Sequence, residues 1–235
     1  PRIFFMMQIT IIGFGNQAKS WALNLKDSNF KVTVALRKNS SSIKRATDLG
    51  FSIQYLEEKL AGDYFCLLTP DHTHQDFFNS FKSSLPDNAK IIYAHGYSVL
   101  THKLEERYPD FTHLLLAPKS IGSELRAQFV SGGDLGGVYS VEHSSSPELD
   151  TKHILEISKG LGLNLGPYKA TFEHETRADL FSEQGILCSM IPYMASEMYD
   201  QLIAKGIEPE LAYFECLHEL KLIVDLMYEG GIANM

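Results

Sequence analysis

Cysteine is scarce in this sequence. The 235-residue chain contains three cysteines, Cys66, Cys188 and Cys216, and no two of them form a CxxC pair. An odd number of isolated cysteines argues against a disulfide framework, so we interpret all three as small core residues. This usage is typical of a reducing compartment, and we expect a cytoplasmic protein.

Basic charge and long hydrophobic runs are also scarce. The chain has 21 Lys and Arg residues against 29 Asp and Glu residues, which gives a formal net charge of −8. This balance argues against a nucleic-acid-binding or anionic-membrane surface, so any bound phosphate must be held locally. The apolar segment that ends at Met7 is too short to span a bilayer and lacks a signal-peptide cleavage pattern. We interpret the part of it ahead of Met7 as a vector remnant.

What the sequence does contain is a regular alternation of short apolar runs with helix-length segments. The composition, 44% hydrophobic and 21% charged, is that of an ordinary globular protein. The alternation predicts a parallel sheet with crossover helices, that is, a Rossmann-type α/β domain. The predicted strands are residues 8–13, 31–36, 64–69, 90–94, 113–117 and 137–142.

Strand signals end near Thr171, and two long helical stretches follow. Residues 175–205 and 208–229 carry helical patterns, and we expect Pro192 to bend the first of them. We therefore predict two domains, a nucleotide-binding α/β domain over residues 1–170 and an all-α domain over residues 171–235.

The segment from Gly13 to Ala18 is a GxGxxA motif at a predicted strand-to-helix turn. The motif requires a tight turn at Gly13, no side chain at Gly15 where the backbone meets a pyrophosphate, and a small residue at Ala18. Backbone N–H groups and the helix dipole can then hold the anion without Lys or Arg. The context, after a strand and before a helix, favours nucleotide binding over a structural glycine turn.

The end of the next predicted strand indicates which nucleotide is bound. An NAD site would present a carboxylate there for the ribose 2′-hydroxyl, whereas this chain has Arg37 and Lys38 followed by serines. Guanidinium, ammonium and hydroxyl groups suit a 2′-phosphate, which a carboxylate would repel. We therefore predict NADP(H), with exposed loop charges as the alternative interpretation.

Three later strand ends also carry groups that could contact a ligand. The segment Asp-His-Thr-His at residues 71–74 follows one strand, His95 follows the next, and Lys119 follows the one after that. A single His or Lys at a strand end is usually an ordinary surface residue. Because ligands of open α/β sheets bind at the carboxyl ends of the strands, three such groups on one rim favour a site.

Two pairs of carboxylates lie in the helical part of the sequence, Asp179 with Glu183 and Glu215 with Glu219. Residues four apart lie on one face of a helix, and apolar residues separate the members of each pair. Convergent carboxylates suit a hard divalent ion such as Mg²⁺, which takes oxygen ligands. A solvated helix face is the ordinary alternative interpretation of the same spacing.

Together these motifs resemble the ketol-acid reductoisomerase (acetohydroxyacid isomeroreductase) family in its short form, class I. The resemblance extends from the strand before Gly13 to Met235, and its most specific parts are residues 179–184 and residues 212–225. It implies a Rossmann-type domain followed by a knotted-type all-α domain. It also implies Mg²⁺-dependent alkyl migration in 2-acetolactate or 2-aceto-2-hydroxybutyrate, followed by NADPH reduction to the 2,3-dihydroxy acid of valine and isoleucine biosynthesis.

The resemblance implies two Mg²⁺ ions held by both carboxylate pairs. Asp179 would bridge the ions, Glu183 would ligate one of them, and Glu215 would ligate the other. Glu219 would contact the substrate or a water held by the metal. In the family the second pair comes from a neighbouring subunit, so we expect a homodimer or larger homo-oligomer with a shared active site.

The resemblance also implies roles at the nucleotide end. Lys119 would belong to a proton-transfer network and His95 would lie beside the nicotinamide, so with Glu219 they form the expected catalytic set. The residues expected to line NADPH are Gly13, Phe14, Gly15, Asn16, Gln17, Arg37, Ser40, Ser42, Asp71, His72, Thr73, His74 and Gly122.

The sequence departs from the family in a few places. Ser182 stands where the family usually has Gly, and His74 often corresponds to Gln. After the Lys, the family has a small residue followed by Pro-Gly, where this chain has Ser120-Ile121-Gly122. None of these is an expected metal ligand. Because the family continues through a further helical segment with a substrate-binding Ser, we expect the helical domain of this chain to be truncated.

Two other functions stay open. A metal-free NADP-dependent dehydrogenase of the β-hydroxyacid type would use a Lys on a helix, but it would leave the four carboxylates unexplained. A truncated, inactive relative would bind NADP and associate with partners through its exposed helices. Mg²⁺-dependent oxidation of NADPH with 2-acetolactate distinguishes the reductoisomerase from both.

Overall fold

The computed structural model describes residues 7–234, except for the side chain of Asn234. The segment ahead of Met7, interpreted above as a vector remnant, lies outside the described residues. The chain divides into two compact units, Pro1–Thr176 and Arg177–Met235, which we call the sheet unit and the helical unit. No helix of the described residues is both long and apolar enough to cross a membrane.

The sheet unit is built on one sheet of eight described strands. They are β1 (Gln8–Ile12), β2 (Lys31–Leu36), β3 (Ser52–Tyr55), β4 (Tyr64–Leu67), β5 (Lys90–Tyr93), β6 (Thr112–Pro118), β7 (Gly136–His143) and β8 (Leu165–Lys169). Their order is β3-β2-β1-β4-β5-β6-β7-β8, and β6–β7 is the antiparallel pair. The first six strands follow the doubly wound dinucleotide-binding order, with a switch point between β1 and β4. The predicted Rossmann-type fold class is confirmed.

All six strands predicted from the sequence are confirmed, but β3 and β8 were missed. The edge strand β3 is only partly buried, so it lacks the continuous apolar run that identifies a central strand. The other edge strand, β8, is mostly exposed and contains Gly166 and Pro167, which are typical of turns.

Apolar side chains fill both faces of this sheet. The connecting helices are α1 (Asn16–Asp27), α2 (Ser42–Asp48), α3 (His74–Phe81), α4 (Tyr97–His102), α5 (Leu104–Arg107), α6 (Gly122–Ser131) and α7 (Pro147–Leu161). Trp21, Leu125 and Ile157 of α1, α6 and α7 are fully buried in one core cluster. Phe78 and Leu104 of α3 and α5 are fully buried in the other. Each such side chain contributes about 2 kcal/mol by leaving water.

The remaining helices are α8 (Phe172–Ser182), which crosses from the sheet unit into the helical unit, α9 (Ile191–Ala204), α10 (Pro209–Tyr213) and α11 (Glu219–Gly230). Wider π-helical turns over Glu183–Met190 and Phe214–His218 interrupt both helical stretches predicted from the sequence. Pro192 lies at the start of α9, directly after the first π-helical segment. Such segments occur frequently at functional sites.

The helical unit leaves most of its apolar side chains open. Ala212 and Cys216 are the buried residues among its described positions. Phe181 is 81% exposed, Tyr193 is 77% exposed and Met194 is 65% exposed. Exposed apolar side chains in this number normally mark an interface.

Candidate active site

The GxGxxA turn joins β1 to α1 at the carboxyl end of the strand. Gly13 has a φ of +98°, and a Cβ at this position would lie 2.9 Å from Cγ2 of Thr69. Glycine is therefore required here for both backbone conformation and space. Nothing lies within 4 Å of the position that a Cβ on Gly15 would take. The space in front of Gly15 is open, as a bound pyrophosphate requires.

The start of α1 fits an anion. No side chain caps this helix end. The N–H groups of Asn16, Gln17 and Ala18 therefore point out of the helix end without an intrahelical partner, and the helix dipole adds positive potential there. The donor set and the open space in front of Gly15 fit the pyrophosphate of a dinucleotide.

Gly122 begins α6 and packs directly on the start of α1. A Cβ on Gly122 would lie 2.7 Å from the backbone of Asn16 and Gln17, so only glycine permits this approach. The first turns of α1 and α6 therefore lie side by side at the carboxyl edge of the sheet. This contact explains the glycine independently of any cofactor.

The residues expected at the 2′-phosphate follow β2. Arg37 is exposed, and Oγ of Ser40 accepts a hydrogen bond of 3.3 Å from the N–H of Ser42. The Lys38 ammonium instead forms an ion pair of 2.7 Å with Glu58. Arg37 and the two serines therefore lie after β2, where the 2′-phosphate is expected, while Lys38 is paired with Glu58.

The segment after β4 divides into exposed and buried parts. Asp71, His72 and Thr73 form a short 3₁₀ turn at the sheet edge, and none of the three is buried. His74 follows as the first residue of α3 and is only 3% exposed. Asp71, His72 and Thr73 are therefore accessible to a ligand, whereas His74 lies within the protein.

An enclosed ion pair lies at the same edge. Lys119 comes directly after β6, and its Nζ donates to Oε1 of Glu175 at 2.7 Å. The other carboxylate oxygen of Glu175 accepts a hydrogen bond of 3.0 Å from the N–H of Gly96. The Glu175 side chain is fully buried and that of Lys119 is 36% exposed. A buried carboxylate needs such partners because its desolvation costs several kcal/mol otherwise, about 3 or more.

His95 lies beside this pair. Its Nδ1 accepts a hydrogen bond of 3.0 Å from the N–H of Tyr97, so the neutral ring carries its proton on Nε2. A ring nitrogen of His95 and a carboxylate oxygen of Glu175 lie within 4.8 Å of each other. His95, Lys119 and Glu175 thus form one polar cluster at the carboxyl ends of β5 and β6.

The first turn of α8 fixes Glu175 in this cluster. Thr171 caps the helix, because its Oγ1 accepts a hydrogen bond of 3.0 Å from the N–H of His174. The turn packs so closely on Gly96 that a Cβ there would collide with Oγ1 of Thr176 and lie 2.9 Å from the Phe172 carbonyl oxygen. Gly96 therefore allows Glu175 to reach both Lys119 and the loop that carries His95.

Glu175 is a candidate site residue that the sequence analysis missed. A signal was available, because Glu175 stands four residues before Asp179 and so extends the spacing of Asp179 and Glu183 by one turn. Its partner Lys119 lies 56 residues away in sequence, which no local pattern indicates.

Two buried hydroxyl groups adjoin the cluster. Within the part of the chain that the structure describes, Oγ of Ser120 and Oγ1 of Thr176 are buried and have no hydrogen-bond partner. Buried hydroxyls are rarely left unpaired, so a water or a bound polar molecule is expected to complete them. Ser120 follows Lys119 and Thr176 follows Glu175, so both unpaired hydroxyl groups belong to the candidate site.

The four acids predicted as metal ligands lie on the helices of the second half of the chain. Asp179 is one turn beyond Glu175 in α8, Glu183 begins the first π-helical segment, Glu215 lies in the second, and Glu219 begins α11. Over residues 7–234, Glu183, Glu215 and Glu219 join no group of three or more close ligand atoms. The oxygen donors suit Mg²⁺, but this single chain does not gather all four.

Glu215 and Glu219 line an apolar groove of about 780 Å³ within the helical unit. Both acids are exposed, and the rest of the lining is mainly apolar, including Met194, Met198 and Leu220. These two carboxylates therefore differ from the acids of an ordinary solvated helix face, because apolar side chains surround them. They also differ from a buried ion pair, because both are exposed.

Comparison with known proteins identifies the family. The family model described as "Acetohydroxy acid isomeroreductase, NADPH-binding domain" matches residues 5–166. The model described as "Ketol-acid reductoisomerase, C-terminal domain" matches residues 172–235. The chain belongs to the ketol-acid reductoisomerase family.

Individual reductoisomerases support this assignment. The ketol-acid reductoisomerase (NADP(+)) of Psychrobacter cryohalolentis is 39% identical over 233 residues, which cover 97% of this chain and 68% of that protein. A solved NADH-preferring ketol-acid reductoisomerase from an uncultured archean is 30% identical with a TM-score of 0.84, and the match covers 99% of this chain and 72% of that one. The predicted family and enzyme class, an NADP-dependent ketol-acid reductoisomerase of branched-chain amino-acid biosynthesis, are confirmed.

The rival dehydrogenase shares the fold with this reductoisomerase. A solved 3-hydroxyisobutyrate dehydrogenase from Mycobacterium tuberculosis is 13% identical with a TM-score of 0.62, covering 87% of this chain and 67% of that one. At this identity the likeness shows the fold alone, and many chemistries use this fold. The four carboxylates have no role in the metal-free reaction.

Proposed function

We propose that this chain converts 2-acetolactate or 2-aceto-2-hydroxybutyrate to the 2,3-dihydroxy acid, using NADPH and two Mg²⁺ ions. The observation that carries the proposal is the Lys119–Glu175 ion pair of 2.7 Å at the carboxyl edge that also holds the glycine turn. A proton-handling group and a dinucleotide-binding turn on one edge are what a combined rearrangement and reduction needs.

When bound, the Mg²⁺ ions supply a polarised ketone and charge stabilisation for the alkyl migration, and NADPH supplies the reducing equivalent. The chain itself holds and moves the protons. Lys119 is the partly exposed member of its pair, so its Nζ can exchange a proton with a substrate oxygen. Glu175 orients the Lys119 side chain through the ion pair, and His95, whose neutral ring carries its proton on Nε2, lies at the nicotinamide side.

We further propose that Asp179, Glu183, Glu215 and Glu219 hold the two Mg²⁺ ions, with the second pair supplied by another copy of the chain. Two features support a homodimer or larger homo-oligomer. The acids do not converge in a single chain over its described residues, and the helical unit leaves a large apolar surface exposed. A symmetric assembly would cover that surface and complete two sites at once.

Steady-state oxidation of NADPH in the presence of 2-acetolactate tests the proposed reaction. We expect turnover that requires Mg²⁺ and that is lost in Glu183→Gln. Turnover without Mg²⁺ would instead indicate the β-hydroxyacid-type dehydrogenase. NADPH binding without any turnover would indicate an inactive relative.

Mixing two inactive variants tests the shared site. Glu183→Gln and Glu215→Gln chains are each expected to be inactive. After dissociation and random reassociation we expect roughly a quarter of wild-type activity, because half of the dimers contain both chains and one of their two sites is intact. No recovery in mixed dimers of verified composition would assign all four acids to one chain.

We also propose a cytoplasmic location and a small-molecule substrate as the principal partner. The described cysteines Cys66, Cys188 and Cys216 are unpaired, which suits a reducing compartment. Cell fractionation against a compartment marker checks the location.

A further inference from the structure

The buried His74 ring joins two segments of the sheet unit. Its Nε2 lies 2.9 Å from the carbonyl oxygen of Thr69, and its Nδ1 lies 2.7 Å from Oγ of Ser98. A carbonyl can only accept, so Nε2 carries the proton and donates it, and Nδ1 accepts from the Ser98 hydroxyl. Burial lowers the pKa of His74, which keeps this neutral tautomer.

One end of this connection reaches the cofactor turn. Thr69 follows β4, and its Cγ2 would lie 2.9 Å from a Cβ on Gly13 while its backbone nitrogen would lie 3.4 Å away. The position of Thr69 therefore defines one wall against which the glycine turn packs. A shift of Thr69 would change the space available to the pyrophosphate.

The other end reaches the proton-transfer cluster. Ser98 is fully buried in α4, two residues after Gly96. The N–H of Gly96 holds Glu175, which in turn holds Lys119. The His74–Ser98 hydrogen bond therefore fixes the helix that directly follows Gly96, the residue whose N–H holds Glu175.

We propose that His74 is a positioning residue that aligns the cofactor turn with the Lys119–Glu175 pair, and not a residue that contacts NADPH. Both ring nitrogens are used within the chain, and the nearest carboxylate, that of Asp71, is 4.0 Å from Nδ1. A buried ring with both nitrogens engaged has no polar atom left for a ligand. The proposal rests on the proposed reductoisomerase function.

Three variants separate positioning from simple packing. His74→Leu keeps apolar volume and removes both hydrogen bonds, so we expect about a tenfold rise in the NADPH Kd and about a tenfold fall in kcat. His74→Gln retains a donor and an acceptor, and we expect it to restore both constants to within about threefold of wild type. Ser98→Ala cuts only the α4 connection, so we expect kcat to fall while the NADPH Kd stays within about twofold.

Val99→Ala is the matched control. Val99 is fully buried in α4 beside Ser98 and belongs to an apolar core cluster, so its truncation loosens the same helix without cutting the connection. Below its unfolding temperature we expect wild-type NADPH affinity and kcat. If Val99→Ala reproduces the His74→Leu pattern, or if His74→Gln behaves as His74→Leu does, His74 has a packing role and the proposal is wrong.

NADPH binding, measured by fluorescence of the bound nicotinamide, separates this proposal from the proposed function. If wild-type chain binds NADPH without turnover, the proposed reaction fails and the affinity changes of His74→Leu and His74→Gln still decide the role of His74. Unchanged NADPH affinity in His74→Leu would overturn the positioning role, and a wild-type chain that does not bind NADPH would overturn both.

Discussion

The sheet unit and the helical unit differ in the burial of the acidic residues at the candidate site. In the sheet unit the Glu175 carboxylate is fully buried, and Lys119 and the N–H of Gly96 satisfy its two oxygens. In the helical unit Glu215 and Glu219 are exposed on the rim of an apolar groove. The sheet unit pairs its buried carboxylate from within, whereas the helical unit leaves these two carboxylates exposed.

This difference predicts where function and stability are coupled. A residue that is buried and partnered supports both the fold and the chemistry, so its loss should damage both. An exposed ligand contributes little to folding, because exposed charges are worth about 0–1 kcal/mol. Variants of the two units should therefore separate cleanly when activity and stability are measured together.

The largest expected effect is the difference in stability between a Lys119 variant and a Glu215 variant that both lose activity. Lys119→Met leaves Glu175 buried without its cation, so we expect a 10²- to 10⁴-fold loss of kcat, roughly, and about 3 kcal/mol of lost stability. Glu215→Gln should lose comparable activity but change stability by less than about 0.5 kcal/mol. Kinetics with 2-acetolactate and urea unfolding measure both. Equal stability losses in the two variants would contradict the comparison.

Acid should destabilise the sheet unit through His113. Burial lowers the pKa of His113 to about 4, and its Nδ1 lies 2.9 Å from the Tyr93 hydroxyl while Nε2 donates to the Tyr108 carbonyl. Because the unfolded chain binds this proton more tightly, His113 favours folding fully above pH 6.5, and that contribution falls by roughly 3 kcal/mol toward pH 4.

Urea unfolding followed by the fluorescence of Trp21, the single tryptophan, measures this effect between pH 7.5 and 4.5. His113→Gln is the control, since it can keep hydrogen bonds but cannot titrate. We expect it to be less stable at pH 7.5 and to lose less stability on acidification. A wild-type pH slope that is unchanged in His113→Gln would refute the assignment.

Two glycine substitutions compare how closely the backbone is packed in the two units. Gly96→Ala would push the first turn of α8 away, because a Cβ at Gly96 collides with Thr176 and the Phe172 carbonyl. We expect a stability loss of about 1–3 kcal/mol and a lower kcat. Gly185→Ala meets nothing within 4 Å in the helical unit, so it should be neutral or stabilising by up to about 1 kcal/mol. Thermal unfolding of both variants decides this.

The smallest expected effect concerns an exposed pair within the sheet unit. Lys38 is held by Glu58 at 2.7 Å, and its backbone N–H donates to the Glu57 carboxylate at 3.2 Å. We expect Lys38→Ala to raise the NADPH Kd by less than about twofold, and Arg37→Ala to raise it about tenfold through loss of a charge-assisted contact. Neither should change NADH binding. Equal effects on NADPH would place Lys38 on the 2′-phosphate.

The sequence predicts the sheet unit well because its signals are local. Apolar runs identify the central strands, and the glycine turn at Gly13 and Gly15 fixes the cofactor edge. Contacts between distant segments leave no such signal, so neither the Lys119–Glu175 pair nor the burial of His74 could be predicted. The π-helical segments that contain Glu183 and Glu215 were not predicted either. An apolar pattern of helical period does not distinguish a π-helical turn from an α-helical one.

The continuity of α8 sets a constraint on its length. Gly96 and Lys119 fix the helix at Glu175, and each residue advances the chain about 100° around the axis and about 1.5 Å along it. Inserting a single alanine after Thr176 would swing Asp179 about a quarter-turn away from its direction while leaving every side chain present. The four-residue step from Glu175 to Asp179 makes about one helical turn, so its length decides which face of α8 carries the Asp179 side chain.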